Sequence, residues 1–284
     1  MKSLKDRVAI ITGGTRGLGL GIAKAFIQAG AKVFVASRSA ESVEKAVSVL
    51  KGMGGQVGGK VCDVRILEEV EILSLKAIEE FGKIDVWINN AGVSAPYGPT
   101  IQIPNEQILN LIQTNILGTY HGSLVAMRHF LKQRQGKLIN VSGRGDKRPV
   151  PFQNAYGSSK SWMHSFTLTL AKEYKNSGIG VYLFRPGIVD TDMLRKVDVV
   201  EGYQNRIEPL KTVIRMWGNE PGVPAKKVVW LASQATDGKT GMVVSVFNRR
   251  RMVFGLLREV WGRILRHDTE QIEIEITPIE PEYE

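Results

Sequence analysis

The stretch Val8-Ala9-Ile10-Ile11-Thr12-Gly13-Gly14-Thr15-Arg16-Gly17-Leu18-Gly19 decides how the rest of the chain is read. Its first four residues are apolar without alternation, as in a strand covered on both faces of a parallel sheet. The glycines that follow permit a tight turn and let an anion approach the amides that open the next helix, where the helix dipole favours negative charge. Further short β-branched runs at residues 32–36, 56–62, 84–89, 137–141, 179–184 and 242–247 alternate with helical stretches at about 17–29, 40–51, 66–81, 105–133, 154–176 and 222–234. Seven strands with helices between them imply parallel crossovers, hence an α/β class: a doubly wound seven-stranded parallel sheet with helices on both faces.

Working outward, the composition fits one such domain. The 284 residues are 43% hydrophobic and 23% charged, which excludes disorder, collagen-like repeats and a disulfide-stapled miniprotein. The formal net charge is +10, but it is unevenly placed: residues 249–266 carry six Arg against one Glu, and residues 268–284 carry seven acidic side chains and no Lys or Arg. Basic charge raises nucleic acid as a partner, yet no aromatic-basic interleaving accompanies it, so no nucleic-acid binding is expected. Cys62 is the only cysteine, so a reduced cytoplasmic setting is expected. The N-terminus lacks a signal-peptide h-region, and no apolar run approaches the roughly 20 residues of a membrane span. His121, His129, His164 and His267 have no metal-ligand spacing, so no metal is expected.

A carboxylate about 20 residues past the glycines would bind the ribose hydroxyls of NAD. The chain has Ser37-Arg38-Ser39 there. Arg38 suits a fork onto a 2′-phosphate, with Arg16 closing on the same group, and two cations without a carboxylate favour NADP(H). Downstream, Tyr156 and Lys160 stand four apart at the start of a helix and share one face. An adjacent ammonium stabilises phenolate, so Lys160 is expected to lower the Tyr156 pKa from about 10 toward the range useful in acid–base catalysis.

Together these residues resemble the short-chain dehydrogenase/reductase family in its common form, across residues 5–247. The marks are the glycine turn, Asp63, Asn89-Asn90-Ala91-Gly92, Asn115, Tyr156 with Lys160, and Pro186-Gly187 followed by Thr191. The resemblance implies a Rossmann-type fold, with the cofactor lying along Gly13, Thr15, Arg16, Gly17, Leu18 and Gly19, and with Ser37 and Arg38 at its phosphate. It further implies Asp63 and Val64 at the adenine, Asn90, Ala91 and Gly92 as the floor, and Pro186, Gly187, Ile188 and Thr191 around the nicotinamide. Tyr156 would exchange the proton, Lys160 would also grip the nicotinamide ribose, and Asn115 would hold a water in the proton relay. A homodimer or homotetramer through the long helices belongs to the same expectation.

Two departures stand out. In the family a serine at the end of the fifth strand polarises the carbonyl; counted back from Tyr156, that position falls on Gly143, one past Ser142. Either the loop 146–152 absorbs an extra residue and Ser142 takes the role, or the carbonyl loses its hydroxyl donor. The second departure is the end of the chain. Residues 1–248 read as the cofactor-binding and catalytic domain, with an apolar substrate lid at 190–217, and residues 249–284 as an extension. In that extension Val253, Leu256, Leu257, Val260, Trp261 and Leu265 make an apolar helical stripe among arginines, and Ile272, Ile274 and Ile276 alternate with Glu273 and Glu275 like an edge strand. The reading is an NADP(H)-dependent oxidoreductase interconverting a carbonyl and an alcohol on a lipophilic small molecule. Its rival is a catalytically weak NADP-binding protein that recruits a partner through the extension.

Overall fold

A computed structural model describes residues 3–247, Val253 and residues 272–283. Nine strands lie among them: β1 (Val8–Thr12), β2 (Lys32–Ser37), β3 (Val57–Val61), β4 (Val86–Asn89), β5 (Gly136–Val141), β6 (Ile179–Arg185), β7 (Lys196–Val200), β8 (Met242–Ser245) and β9 (Glu275–Ile279). Seven form one sheet in the order β3-β2-β1-β4-β5-β6-β8, every pairing parallel. This is the doubly wound sheet read from the sequence. The order reverses between β1 and β4, so a crevice opens at their carboxyl ends.

Strand residues alternate between two cores, which is why these strands read as continuous apolar runs. Ala9 and Ile11 of β1 face a cluster built with α1 (Gly17–Gln28), α2 (Ala40–Gly52) and α9 (Gly222–Ala232). Ile10 faces the other way, into a cluster with α3 (Leu67–Phe81), α5 (Gly118–Gln133) and α6 (Asn154–Glu173). Across the second layer runs a buried polar chain: Trp87 Nε1 donates to Asn89 Oδ1 at 2.9 Å, Asn89 Nδ2 to Asn140 Oδ1 at 2.9 Å, and Asn140 Nδ2 to Thr167 Oγ1 at 2.9 Å. Each group is satisfied, so the chain fixes the register of β4 and β5 beneath the crevice.

The helix expected over 105–133 is not continuous. α4 (Asn105–Leu111) passes into a π-helical segment, Ile112–Leu117, before α5 begins. The expected lid resolves into α7 (Asp192–Arg195), β7, a short 3-10 turn and α8 (Glu208–Trp217). Val197, Val199 and Ile207 of this region form a small core with Tyr97, Tyr203, Leu210, Ile274 and Ile276. β9 pairs parallel with β7 in register from Lys196 opposite Glu275 to Val200 opposite Ile279. The far end of the extension therefore lies on the segment expected to be the lid. The amphipathic stripe expected between Val253 and Leu265 lies outside the described residues, Val253 excepted.

Candidate active site

The glycine turn and the segment after β4 are stitched into one floor. Gly13 has a φ of 62°, and a Cβ there would stand 2.9 Å from the Ala91 Cα, while a Cβ on Gly19 would fall inside the Gly13 carbonyl. The Asn90 amide donates to the Thr12 and Gly13 carbonyls, each at 3.0 Å. The backbone N–H groups of Asn90 and Ala91 donate to Thr12 Oγ1 at 3.1 and 3.2 Å. α1 opens with no acidic residue in its first turn and no side-chain cap, so its first amides present positive potential to the crevice beside Thr15, Arg16 and Leu18. A Cβ on Gly17 would lie 3.2 Å from Thr191 Cγ2, which shows how closely the loop after β6 approaches the turn. In that loop Pro186 and Gly187 leave the strand, and the Ile188 carbonyl accepts from the Asn219 backbone N–H at 3.0 Å.

At the other end of the crevice Ser37 closes β2, Arg38 follows, and Ser39 caps α2 by accepting from the Ser42 N–H at 3.2 Å. Asp63 is held by Arg65, whose Nε donates to Oδ1 and Oδ2 at 3.0 and 2.9 Å and whose Nη2 donates to Oδ2 at 2.6 Å. Burial pushes the Asp63 carboxyl up, but Arg65, with Arg38 behind it, holds it below the usual carboxylate range. The neighbouring Val64 carbonyl accepts from His121 Nδ1 at 3.0 Å.

α6 presents Tyr156 and Lys160 one turn apart, with Lys160 Nζ 5.4 Å from the centre of the Tyr156 ring and 3.4 Å from the Val141 carbonyl. The expected depression of the phenol by the ammonium does not prevail. Burial pushes the Tyr156 phenol up to about 12, helped by Tyr97 and Asp146, and pushes the Lys160 ammonium down to about 8 against the pull of Asp146. Desolvation disfavours both charged forms, and it exceeds the pairwise attraction.

Asn115 sits within the π-helical segment, fully buried. Its Oδ1 accepts from the Val93 N–H at 2.9 Å, and its Nδ2 donates to the Val93 carbonyl at 3.0 Å and to Ser159 Oγ at 3.3 Å. It thus ties the segment beyond Gly92 to the turn that carries Tyr156. Ser142 is directed elsewhere: its hydroxyl donates to Asp146 Oδ2 at 3.2 Å, and that carboxylate is ion-paired with Arg185. Gly143 is the residue against the phenol, for a Cβ there would stand 2.6 Å from Tyr156 Oη.

The family model described as short chain dehydrogenase matches residues 7–201. The chain belongs to that family. Among similar short-chain dehydrogenases is a putative ketoacyl reductase of Streptomyces coelicolor, 32% identical over 199 residues, covering 69% of this chain and 76% of the relative. A 3-oxoacyl-[acyl-carrier-protein] reductase of Chlamydia pneumoniae is 30% identical over 244 residues, covering 86% and 96%. A chlorophyll(ide) b reductase of rice, Oryza sativa, is 39% identical over 193 residues, covering 65% of this chain but 56% of the relative. Of solved structures, a variant of actinorhodin polyketide ketoreductase with NADPH superposes with a TM-score of 0.77 at 28% identity, covering 84% of this chain and 95% of that one.

Four residues of this short-chain dehydrogenase site went unread in the sequence: Arg65, Tyr97, Arg144 and Asp146. Arg65 was open to discovery, because a cation two residues after Asp63 can fold back onto it. The other three come from loops whose path the local sequence does not determine.

Proposed function

We propose that the chain is an NADP(H)-dependent carbonyl reductase working through Tyr156. The observation that carries this reading is the half-buried Tyr156 phenol standing beside the buried Lys160 ammonium at the carboxyl end of a doubly wound sheet. The cradle suits a dinucleotide: Gly13 and Gly19 have no space for side chains, and the first amides of α1 lie open to a pyrophosphate. Arg16 and Arg38 would hold the 2′-phosphate, Asp63 and Val64 would border the adenine, and Asn90, Ala91, Gly92, Ile188 and Thr191 would line the nicotinamide end. When bound, the nicotinamide supplies hydride to the carbonyl carbon.

Tyr156 then gives its proton to the carbonyl oxygen. A phenol held near 12 is protonated at neutral pH, which suits an acid in the reducing direction. Lys160 would steady the charge left on the phenolate, and Asn115, within the π-helical segment, would hold the water that restores the proton. The Streptomyces and Chlamydia relatives are described as ketoacyl reductases and the rice relative as a chlorophyll(ide) b reductase, so reduction is their shared element. The apolar composition of residues 190–217, in which Met193 is exposed, is the ground for reading the substrate as lipophilic. The reading includes a cytoplasmic location and a homodimer or homotetramer, for which Leu109, Ile112, Leu117 and Tyr120 offer an exposed apolar surface on the long helices.

The rival, a weak NADP-binding protein, is favoured by the commitment of the Ser142 hydroxyl to Asp146. Absorbance at the nicotinamide band with ethyl acetoacetate separates the two. The expected result is turnover that falls by about 10²–10⁴ in Tyr156→Phe while NADPH binding persists. Equal rates for wild type and Tyr156→Phe would leave the rival standing.

A further inference from the structure

A carbonyl that accepts hydride gathers negative charge on its oxygen, and one donor satisfies only part of it. In this chain the end of β5 supplies no second donor. Gly143 has no side chain, the Tyr156 hydroxyl occupies the space where a Cβ would stand, and the neighbouring Ser142 hydroxyl is turned into the Asp146–Arg185 ion pair.

A second phenol approaches from another side. The Tyr97 N–H donates to the Asp198 carbonyl at 2.9 Å and the Tyr97 carbonyl accepts from the Val200 N–H at 2.8 Å, so Tyr97 extends the lid sheet next to β7. The following Gly98 N–H donates to the Phe152 carbonyl at 3.1 Å, which ties this segment to the loop leading into α6. Phe152 itself sits at a φ of 64°, its ring 5.7 Å from that of Tyr203 and 4.9 Å from the Arg206 guanidinium. Lid, loop and Tyr97 are therefore braced together next to the start of α6.

Tyr97 is close enough to Tyr156 that the two phenols interact electrostatically, and the Arg144 guanidinium stands beside the Tyr97 hydroxyl. A guanidinium can only donate. Any bond it makes to the Tyr97 hydroxyl goes to the oxygen, leaves the phenolic proton free to point elsewhere, and strengthens it as a donor. Arg144 directly follows Gly143, so the glycine that lies against the Tyr156 hydroxyl and the cation beside the second phenol are neighbours in sequence.

We propose that Tyr97, oriented by Arg144, donates the second hydrogen bond to the substrate carbonyl oxygen, the task a hydroxyl at position 143 would otherwise perform. This rests on the reductase reading. Tyr97 keeps its proton throughout: hydride goes to carbon from the nicotinamide, and the proton goes to oxygen from Tyr156.

The test uses the full chain, NADPH and ethyl acetoacetate labelled with ¹³C at the ketone. Tyr97→Phe is expected to lower kcat by about 10²–10³ while leaving NADPH affinity intact, as removal of one oxyanion donor does elsewhere. In the complex with NADP⁺, the infrared ketone stretch should lie below its solution frequency in wild type and return toward it in Tyr97→Phe, a change that a merely structural role would not produce. Arg144→Gln should give an intermediate loss in both readouts and serves as the test if Tyr97→Phe no longer binds NADPH. A Tyr97→Phe rate within about threefold of wild type, an unmoved ketone stretch, or a larger loss in Ser142→Ala than in Tyr97→Phe would overturn the inference while leaving the reductase reading intact. NADPH binding without any turnover by wild type would overturn both.

Discussion

Desolvation pushes the pKa of both Lys160 and Tyr156 toward favouring the neutral form, and this sets the pH behaviour of the site. Tyr156 keeps its proton up to about 12, so between pH 6 and 10 the group that changes charge is Lys160, near 8. Above that value the amine is neutral and no longer steadies the phenolate left by proton transfer. The expected outcome is that kcat/KM for reduction falls as pH rises through about 8, with no second limb before pH 10; a profile flat across that window would be inconsistent with it. Lys160→Arg, which stays cationic, should lose that limb in its remaining activity. A second residue-scale expectation concerns the cradle. Because a Cβ at Gly19 would overlap the Gly13 carbonyl, Gly19→Ala must open the turn, and its NADPH dissociation constant should rise by more than about tenfold in a fluorescence titration. The phosphate end behaves differently. Arg38→Asp leaves the turn intact but replaces a cation with the carboxylate that favours a bare ribose, so NADPH should weaken by about tenfold or more relative to NADH.

Among the elements, the π-helical segment Ile112–Leu117 is the one that most directly builds the site. It lies between two ordinary helices, and its Asn115 side chain satisfies both backbone groups of Val93. Asn115→Ala leaves that N–H and C=O without their partner, a cost of about 1–3 kcal/mol for each group. Urea melts should therefore show a clear loss of stability, and turnover should fall with it as the segment beyond Gly92 loosens. A variant as stable as wild type would place the loop under other control. The same segment shows where the sequence was legible and where it was not. The three-and-four spacing of Ile108, Leu111, Ile112 and Ile116 announces a helix, but a π-turn shifts the face by one residue without changing composition. The seven sheet strands were legible because a short apolar run between a glycine turn and an amphipathic helix buries both its faces most simply as an interior strand. Tyr156, Lys160 and the glycine cradle were legible because their chemistry depends on local spacing. Tyr97, Arg144 and Asp146 were not, since their meeting depends on how the loop 143–152 lies against α6, where a Cβ at Gly145 would collide with the Gly157 Cα.

At the scale of the molecule, residues 272–283 and the segment 196–210 pack as one structure. Five residues of β9 pair with β7, Glu275 meets Lys196 at 3.1 Å, the Glu282 N–H donates to the Gln102 carbonyl at 3.1 Å, and Glu282 Oε2 accepts from the Asn105 N–H at 2.5 Å. The surface ion pair contributes little, on the order of 0–1 kcal/mol. The strand pairing and the burial of Ile274 and Ile276 against Val197 and Val199 carry most of the attachment. β7 is flanked on its other side by Tyr97, so an undocked β9 leaves the strand beside Tyr97 held from one side only. Among the described residues neither the glycine cradle nor Arg38 pairs with β9 or makes a hydrogen bond to it. Truncation after residue 271 is thus expected to leave NADPH affinity unchanged, to lower kcat toward ethyl acetoacetate, and to speed limited proteolysis within residues 192–206. Loss of NADPH binding in the truncated chain would contradict this division, and an unchanged kcat together with an unchanged cleavage rate would show that β7 stays in place without its partner.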